Sequence, residues 1–412
     1  MRAADLFQRY RERINPPYTS KDLIAVGSTV LLLLVIPLTV LAILQVRQLG
    51  SRAAGLLGIE AENATLSGPV TVGDDANASG GKFIQFSADG SAIESELKAI
   101  VQGVTTANAY KYGAKDNLNN SMDTVKIIEN STTPGDPNRY LATYHVLSGS
   151  VFNLKLAASS DLLNWTYKKD LDTDAHQPTI AKLSDGSFVV AYEIGPTSAC
   201  TGTGGSGNNC LKFRHYADLT ALLAGTYNKQ FQVPRTLSNC AEGTPHIQGA
   251  TLSPDINSSV IDVRFHYFRD CDVDRQAKGT LTNFNFWTGQ VDTNLNTLFE
   301  ALTSPSIGGN VGDRDHLVYK GVDFNLHEAQ LTKGDFCTWR PYLYNYSSNE
   351  VIKLTVNTHN GRVAFANPSF TNLTLPNGRS GITVSYFVPS SNASGPCPGS
   401  DPAGELIFYK EY

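Results

Sequence analysis

The chain has 412 residues, 41% of them hydrophobic and 17% charged, with a formal net charge of −5. That length exceeds one small core and implies two or three units. The mild acidic balance leaves no electrostatic footprint for nucleic acid, which excludes it as a partner.

Residues 1–22 read as a cytoplasmic tail containing Arg2, Arg9, Arg11, Arg13 and Lys21. The run 23–46, LIAVGSTVLLLLVIPLTVLAILQV, carries no charge. It matches the roughly 20 apolar residues that cross a bilayer as a helix, and Pro37 is tolerated inside such a helix. Only Arg47 and Arg52 follow closely, so the positive-inside rule puts the N-terminus in the cytoplasm and the bulk outside. A cleaved signal peptide is the competing reading. Against it, the apolar run is long for an h-region and no clear A-x-A site follows.

All six cysteines lie beyond this segment: Cys200, Cys210, Cys240, Cys271, Cys337 and Cys397. An even count outside the cell predicts three disulfides, although six cysteines allow about 15 pairings. Proximity favours Cys200–Cys210 and Cys240–Cys271, which leaves Cys337–Cys397. No C-x2-C pair signals zinc.

Residues 47–109 read as a linker. Its segment GIEAENATLSGPVTVGDDANASGGKFIQF, Gly58 to Phe86, alternates apolar runs with Gly/Asn/Asp turns and predicts two or three short strands. This string resembles the opening of carbohydrate-binding modules of families 6 and 35, with their E-A-E start and N-A-S-G-G-K hairpin. The resemblance implies sugar binding and a structural calcium, with Glu60 and Glu62 at the matching acidic positions. It covers too few residues to close a sandwich, so the segment is expected to act as a spacer or an appended strand pair. SAIESELKAIVQGV then reads as a short helix.

From 110 to 412 five loosely similar segments recur: MDTVKIIE at 122, HQPTIAKL at 176, GTPHIQGATL at 243, HEAQLTKG at 327 and ANPSFTNL at 366. Each opens a short apolar strand, then a polar turn, then an aromatic-rich strand. Thr124 to Pro368 spans 244 residues, or 61 per interval. A four-stranded blade needs about 40–50 residues, so each interval holds a blade and its loops. The predicted fold class is all-β: a five-bladed β-propeller behind a transmembrane helix and a hairpin/helix spacer. A generic β-sandwich is the alternative.

In a propeller the residues that open the first strands converge at one mouth of the channel. Here they are Asp123, His176 with Gln177, Glu242 with Thr244, His327 with Glu328, and Asn367. Carboxylates converging on one cavity suit glycoside hydrolysis, where one group stays charged and another keeps a proton for the leaving oxygen.

At these positions the propeller resembles glycoside hydrolase family 43 and its five-bladed relatives. The resemblance implies a base at Asp123 in MDTVKI and a proton donor at Glu242 in AEGTPHI, with inversion at the sugar. Asp123 lacks the family's following proline, and Glu242 has one extra residue before Pro245. The pKa-tuning aspartate of blade two falls on Thr179, with Asp174 five residues earlier. Glu328 is either the missing source of negative charge or itself the acid. The substrates implied are arabinose-, xylose- or fructose-type glycans.

Each candidate also has a plain structural reading. Asp123 can cap a turn, and Glu242 can be a loop residue beside a disulfide. His176 and His327 read as channel hydrogen-bonding groups rather than metal ligands. Trp339 and Arg340 read as a sugar platform or as core and salt bridge. Asp313, Arg314 and Asp315 read as a salt-bridged turn by default, with a rim site as the alternative. The glycine-rich stretch Thr201 to Asn209 reads as a flexible, disulfide-closed loop. No cofactor is required beyond a possible calcium. A non-catalytic glycan-binding propeller is the competing function.

Overall fold

The computed structural model describes residues 70–74, 82–86, 90–195, 200–202 and 209–412. The expected membrane span at 23–46, and Glu60 and Glu62, lie outside the described residues. Among the described residues no helix is long and apolar enough to cross a membrane. The chain divides at Ser87 into two compact units. The first holds an antiparallel hairpin, β1 (Val70–Asp74) with β2 (Lys82–Phe86), where a hairpin was predicted.

The second unit is a five-bladed β-propeller of four-stranded antiparallel sheets. After helix α1 (Gly90–Val101) and the short strand β3 (Ala109–Lys111), blade one is β4 (Asp123–Glu129), β5 (Tyr140–Ser148), β6 (Val151–Ser159) and β7 (Thr166–Thr173). Blade two is β8 (Ala175–Lys182), β9 (Phe188–Ile194), β10 (Cys210–Tyr216) and β11 (Lys229–Gln232), with helix α2 (Leu219–Ala224) before its last strand. Blade three is β12 (Glu242–Thr251), β13 (Val260–Arg269), β14 (Val273–Thr282) and β15 (Phe286–Val291). Helix α3 (Thr293–Glu300) leads to blade four: β16 (Val311–Tyr319), β17 (Val322–Gln330), β18 (Trp339–Asn345) and β19 (Glu350–Lys353). Blade five is β20 (Ala366–Thr374), β21 (Ser380–Val388) and, after a two-residue ribbon of β22 (Ser391–Asn392) and β23 (Gly395–Pro396), β24 (Gly404–Glu411). Its fourth strand is β3, which pairs with β24 and closes the ring with chain from the other end of the propeller.

The strand composition follows position. β9, FVVAYEI, is buried throughout because sheets cover both its faces. The outer strand β7, TYKKDLDT, is mostly polar, which discourages edge pairing with another chain. Gly186, at φ +86°, supplies the left-handed residue of the tight turn between β8 and β9.

Blade four corrects the sequence reading. HEAQLTKG does not open the blade. His327 and Glu328 lie on the second strand, β17, and the innermost strand is VGDRDHLVY. Asp313, Arg314 and Asp315 are therefore inner-strand residues and not a salt-bridged turn. The inner strand opens on the charged run GDRDH, which reads as a turn, so pattern alone chose the second of two adjacent strands.

Helix α1 also differs from its expected role as spacer. Ile93, Leu97, Ile100 and Val101 repeat at helical spacing and are buried with Leu317, Phe324, Leu343 and Tyr386 of blades four and five. Leu97→Ala should therefore cost about 2–5 kcal/mol of unfolding free energy, read from urea denaturation. A cost below about 0.5 kcal/mol, that of an ordinary surface change, would return the helix to the spacer role.

Candidate active site

All three disulfides form as proximity suggested: Cys200–Cys210, Cys240–Cys271 and Cys337–Cys397. Each pins a connection at the end of the propeller where the inner strands begin. The loop residues 203–208 lie outside the described residues. At this end, which we call the mouth, the inner strands share one distortion. Their pairing with the second strand slips between Asp123 and Lys126, His176 and Thr179, Gly243 and His246, Gly312 and Asp315, and Ala366 and Ser369. These are β-bulges, which re-aim side chains next to a site.

In four of the five bulges the second residue has a positive φ without being glycine: Thr124 (60°), Gln177 (53°), Thr244 (51°) and Asn367 (49°). Left-handed backbone is a true outlier for a β-branched threonine. In each case the residue's N–H donates to a side chain from the preceding blade. Gln177 donates to His145 Nδ1 at 3.0 Å and Thr244 to Glu193 Oε2 at 3.0 Å. Asn367 donates to Glu328 Oε2 at 2.5 Å, and Thr124 to Glu405 Oε2 at 3.0 Å.

Blade four contributes Arg314. Its Nε donates to Glu328 Oε1 at 3.1 Å, and Nη2 donates to Gln177 Oε1 at 2.6 Å and to Asn367 Oδ1. Asn367 Nδ2 donates in turn to Thr124 Oγ1 at 3.1 Å, and His145 Nε2 lies 3.4 Å from the same oxygen. Because His145 Nδ1 accepts from Gln177, Nε2 carries the proton and faces Thr124. A closed chain of polar contacts thus ties blades one, two, four and five across the channel. One layer deeper, Lys126 Nζ meets Asp315 Oδ2 at 2.6 Å, and Ser369 Oγ and the Phe370 N–H donate to the same carboxylate. Thr179, the position of the absent tuning aspartate, is buried at this depth.

The candidate residues now fall into two groups. Asp123, His176, Gln177, Thr244, Glu328 and Asn367 come together at the mouth. Asp123 is half-buried and accepts from Ser121 Oγ at 2.5 Å, and burial raises its pKa. His176 Nε2 lies 3.8 Å from Glu193 Oε1.

Glu242 is at the mouth but turned away from the channel. Its side chain is fully buried, and Oε1 accepts the N–H groups of Thr236, Leu237 and Ser238 at 2.6, 2.5 and 3.1 Å. Burial raises its pKa against the pull of those three donors. The sealed carboxyl organises the loop leading into blade three. His327 is buried on β17 against Phe299, away from the opening. Trp339 and Arg340 lie at the same end but two strands out, beside Cys337. Arg340 Nη1 is used by the Cys337 and Trp339 carbonyls. Asp174 sits at a left-handed turn against Gly195.

Four residues that the sequence reading did not single out, His145, Glu193, Asp274 and Glu405, complete the mouth together with Arg314 of the GDRDH segment. Glu193 and Glu405 are charged residues inside apolar strands, which was the available signal. Burial, then the neighbouring Asp123 charge, holds Glu405 well above the ordinary carboxyl pKa. Asp274 opens β14, with Oδ1 3.6 Å from His266 Nε2. Burial raises its pKa, opposed by His266 and reinforced by the charges of Glu193 and Glu328. Its side chain keeps 19% exposure, against 6% for both Glu193 and Glu328. Among the described residues no group of three or more His, Cys, Asp or Glu side chains is placed to hold a metal ion.

No protein-family model matches the sequence, and no curated protein matches it. Solved structures do match. A thermostable family-43 glycoside hydrolase aligns with TM-score 0.45 and 10% identity over 73% of this chain and 92% of that one. A xylan β-1,4-xylosidase from Bacillus halodurans C-125 gives TM-score 0.44 and 10% identity over 71% of this chain and 53% of that one. An α-L-arabinofuranosidase from Lactobacillus brevis gives TM-score 0.44 and 9% identity over 73% and 94%. The propeller has structural neighbours among family-43 glycoside hydrolases.

His145 carries a pH prediction. Burial, then the positive charges of His176 and Arg314, holds its pKa well below 6.5, so the folded state keeps it neutral. Its contribution is complete above the unfolded value and is lost as pH falls through 6.5 toward the folded value, because only the unfolded chain takes up the proton. The stability gap between the wild type and His145→Gln should therefore shrink from pH 7.5 to pH 5 in urea titrations. A gap that stays constant or widens on acidification would remove the neutral-histidine assignment.

Proposed function

We propose that the propeller is a glycoside hydrolase acting at its mouth on arabinose-, xylose- or fructose-type glycans. One observation carries the reading: Asp123 and Asp274 are two mouth carboxyls that combine a raised pKa with access to solvent. Glycoside hydrolysis divides its work between a carboxyl that keeps its proton and a carboxylate that activates water. Asp274 suits the acid, because the Glu193 and Glu328 charges reinforce the effect of burial. Asp123 suits the base, with Ser121 pulling its pKa down against burial. Glu242, the donor implied by family resemblance, is enclosed by its loop and is given a structural role. Gln177, Thr244 and Asn367 shape the floor on which a sugar would rest.

The proposal includes anchoring through residues 23–46 with the propeller outside the cell. The three disulfides support that side, because such bonds persist in oxidising compartments. A second reading, glycan binding without hydrolysis, has one specific observation in its favour: Arg314 and its partners already fill the channel centre.

Release of aryl-arabinoside and aryl-xyloside chromophores tests the hydrolase reading, assayed on salt-washed membranes and on the soluble fraction. Activity should stay with the membranes. Asp123→Asn and Asp274→Asn should each lower it about 10²–10⁴-fold, while Glu242→Gln keeps turnover and loses stability. Glycan binding without turnover in the wild type would leave the binding reading. Activity in the soluble fraction alone would remove the anchor.

A further inference from the structure

Each blade ends in an outer strand that pairs on one side only among the described residues. The open side of such a strand is a row of unpaired N–H and C=O groups, a template for another chain. Folded proteins blunt it with short strands, bulges and charged side chains, lysine above all. Four of the five outer strands carry these features. β3, β11 and β19 are three or four residues long, and each contains a lysine: Lys111, Lys229 and Lys353. β7 is longer, but it holds Lys168, Lys169, Asp170 and Asp172, and its pairing with β6 slips twice.

Blade three has none of them. Its outer strand β15, FWTGQV, runs six residues without a charge or a proline. It pairs with β14 in unbroken register from Phe286 to Val291. Among the described residues its backbone makes no hydrogen bond outside that ladder. Successive strand residues point to opposite faces. Trp287 is buried toward blade two, so Phe286, Thr288 and Gln290 share the other face. All three are exposed, and Phe286 keeps 61% of its surface.

This edge is complementary to itself. Two copies of one strand pair antiparallel about a two-fold axis perpendicular to the sheet, which makes the contact isologous. That axis keeps the faces of the sheet, so a residue meets one of its own face. Centred on Thr288, it sets Thr288 opposite Thr288, Phe286 opposite Gln290 and Trp287 opposite Gly289. A threonine pair across strands is favourable, whereas like charges directly opposed are destabilising. An uncharged edge brings no like charges together, and each copy covers the other's exposed Phe286. The lysines of the other outer strands would work against such self-pairing.

We infer that β15 is an interface for a second copy of this chain, which pairs edge to edge about Thr288 and joins the two blade-three sheets into one. The extended shape of the partner follows from the open ladder. The choice of a second copy follows from the absence of charge, since every copy brings an edge that its twin does not repel. The interface lies on the outside of the propeller and leaves the mouth free.

Sedimentation of the detergent-solubilised full chain, with non-reducing electrophoresis of cysteine variants in native membranes, tests this. The wild type should sediment at twice the chain mass at micromolar concentration. Thr288→Lys supplies the missing charge at an exposed position, so it should halve that mass and leave thermal unfolding unchanged. Thr288→Cys should cross-link copy to copy, because directly opposed Cα atoms lie about 4.5–5.5 Å apart, within disulfide reach. Gln290→Cys should stay uncross-linked, since its two copies stand four residues out of register. None of these readouts depends on the hydrolase reading. A monomeric wild type, a dimer that survives Thr288→Lys, or equal cross-linking by the two cysteine variants would overturn the proposal.

Discussion

The mouth of this propeller depends on one repeated contact: the N–H of a left-handed bulge residue donating to a buried acceptor from the blade before it. A left-handed non-glycine residue costs roughly 1–2 kcal/mol. A hydrogen bond to a charged group contributes about 1.5–3 kcal/mol, enough to offset that strain. The contact therefore holds Thr244 and Asn367 in a conformation they would otherwise avoid, on Glu193 and Glu328, and Thr124 uses Glu405, whose burial favours the neutral carboxyl, in the same position. Gln177 uses neutral His145 in the same way. Each contact also crosses between blades, so the bulge that aims a side chain into the mouth is the joint that fixes blade to blade.

Blade four sets the character of the site. Blade four answers with Arg314, whose guanidinium spans to blades two and five and collects Glu328, Gln177 and Asn367. With the Lys126–Asp315 pair beneath it, the channel centre is filled by protein charge. Asp123 and Asp274, at the rim, keep contact with solvent. The disulfides work at the same end and brace the connections around that rim. A buried ion pair adds little net stability but specifies an arrangement, which suits a floor that must be rigid.

Much of the fold was legible because β-propellers announce themselves by recurrence. Alternating strands, polar turns and sequential cysteine pairs gave the five blades, the hairpin and all three disulfides. The site was less so. The five bulges read DTVK, HQPT, GTPH, GDRD and ANPS. Proline stands third in three of them and no residue is common to all five, so the fourth, GDRD, carries no shared signal and HEAQ reads as the blade opening in its place. The role of Glu242 depends on how residues 236–238 turn back over it, which no local pattern reveals. Glu193 and Glu405 were hidden for a related reason: a glutamate in an apolar strand shows its function only beside the neighbouring blade. Closure by Ala109–Lys111 likewise joins segments almost 300 residues apart.

A double-mutant cycle at Glu193 and Thr244 tests the central contact most directly. Glycine adopts positive φ without strain, so Thr244→Gly removes the strain while keeping the N–H and its bond to Glu193. Urea unfolding of the wild type, Glu193→Ala, Thr244→Gly and the double variant gives the coupling. Because Thr244 regains its strain energy when the contact is lost and glycine has none to regain, Glu193→Ala should cost about 1–2 kcal/mol less beside threonine than beside glycine. Equal costs in the two backgrounds, within about 0.3 kcal/mol, would contradict it.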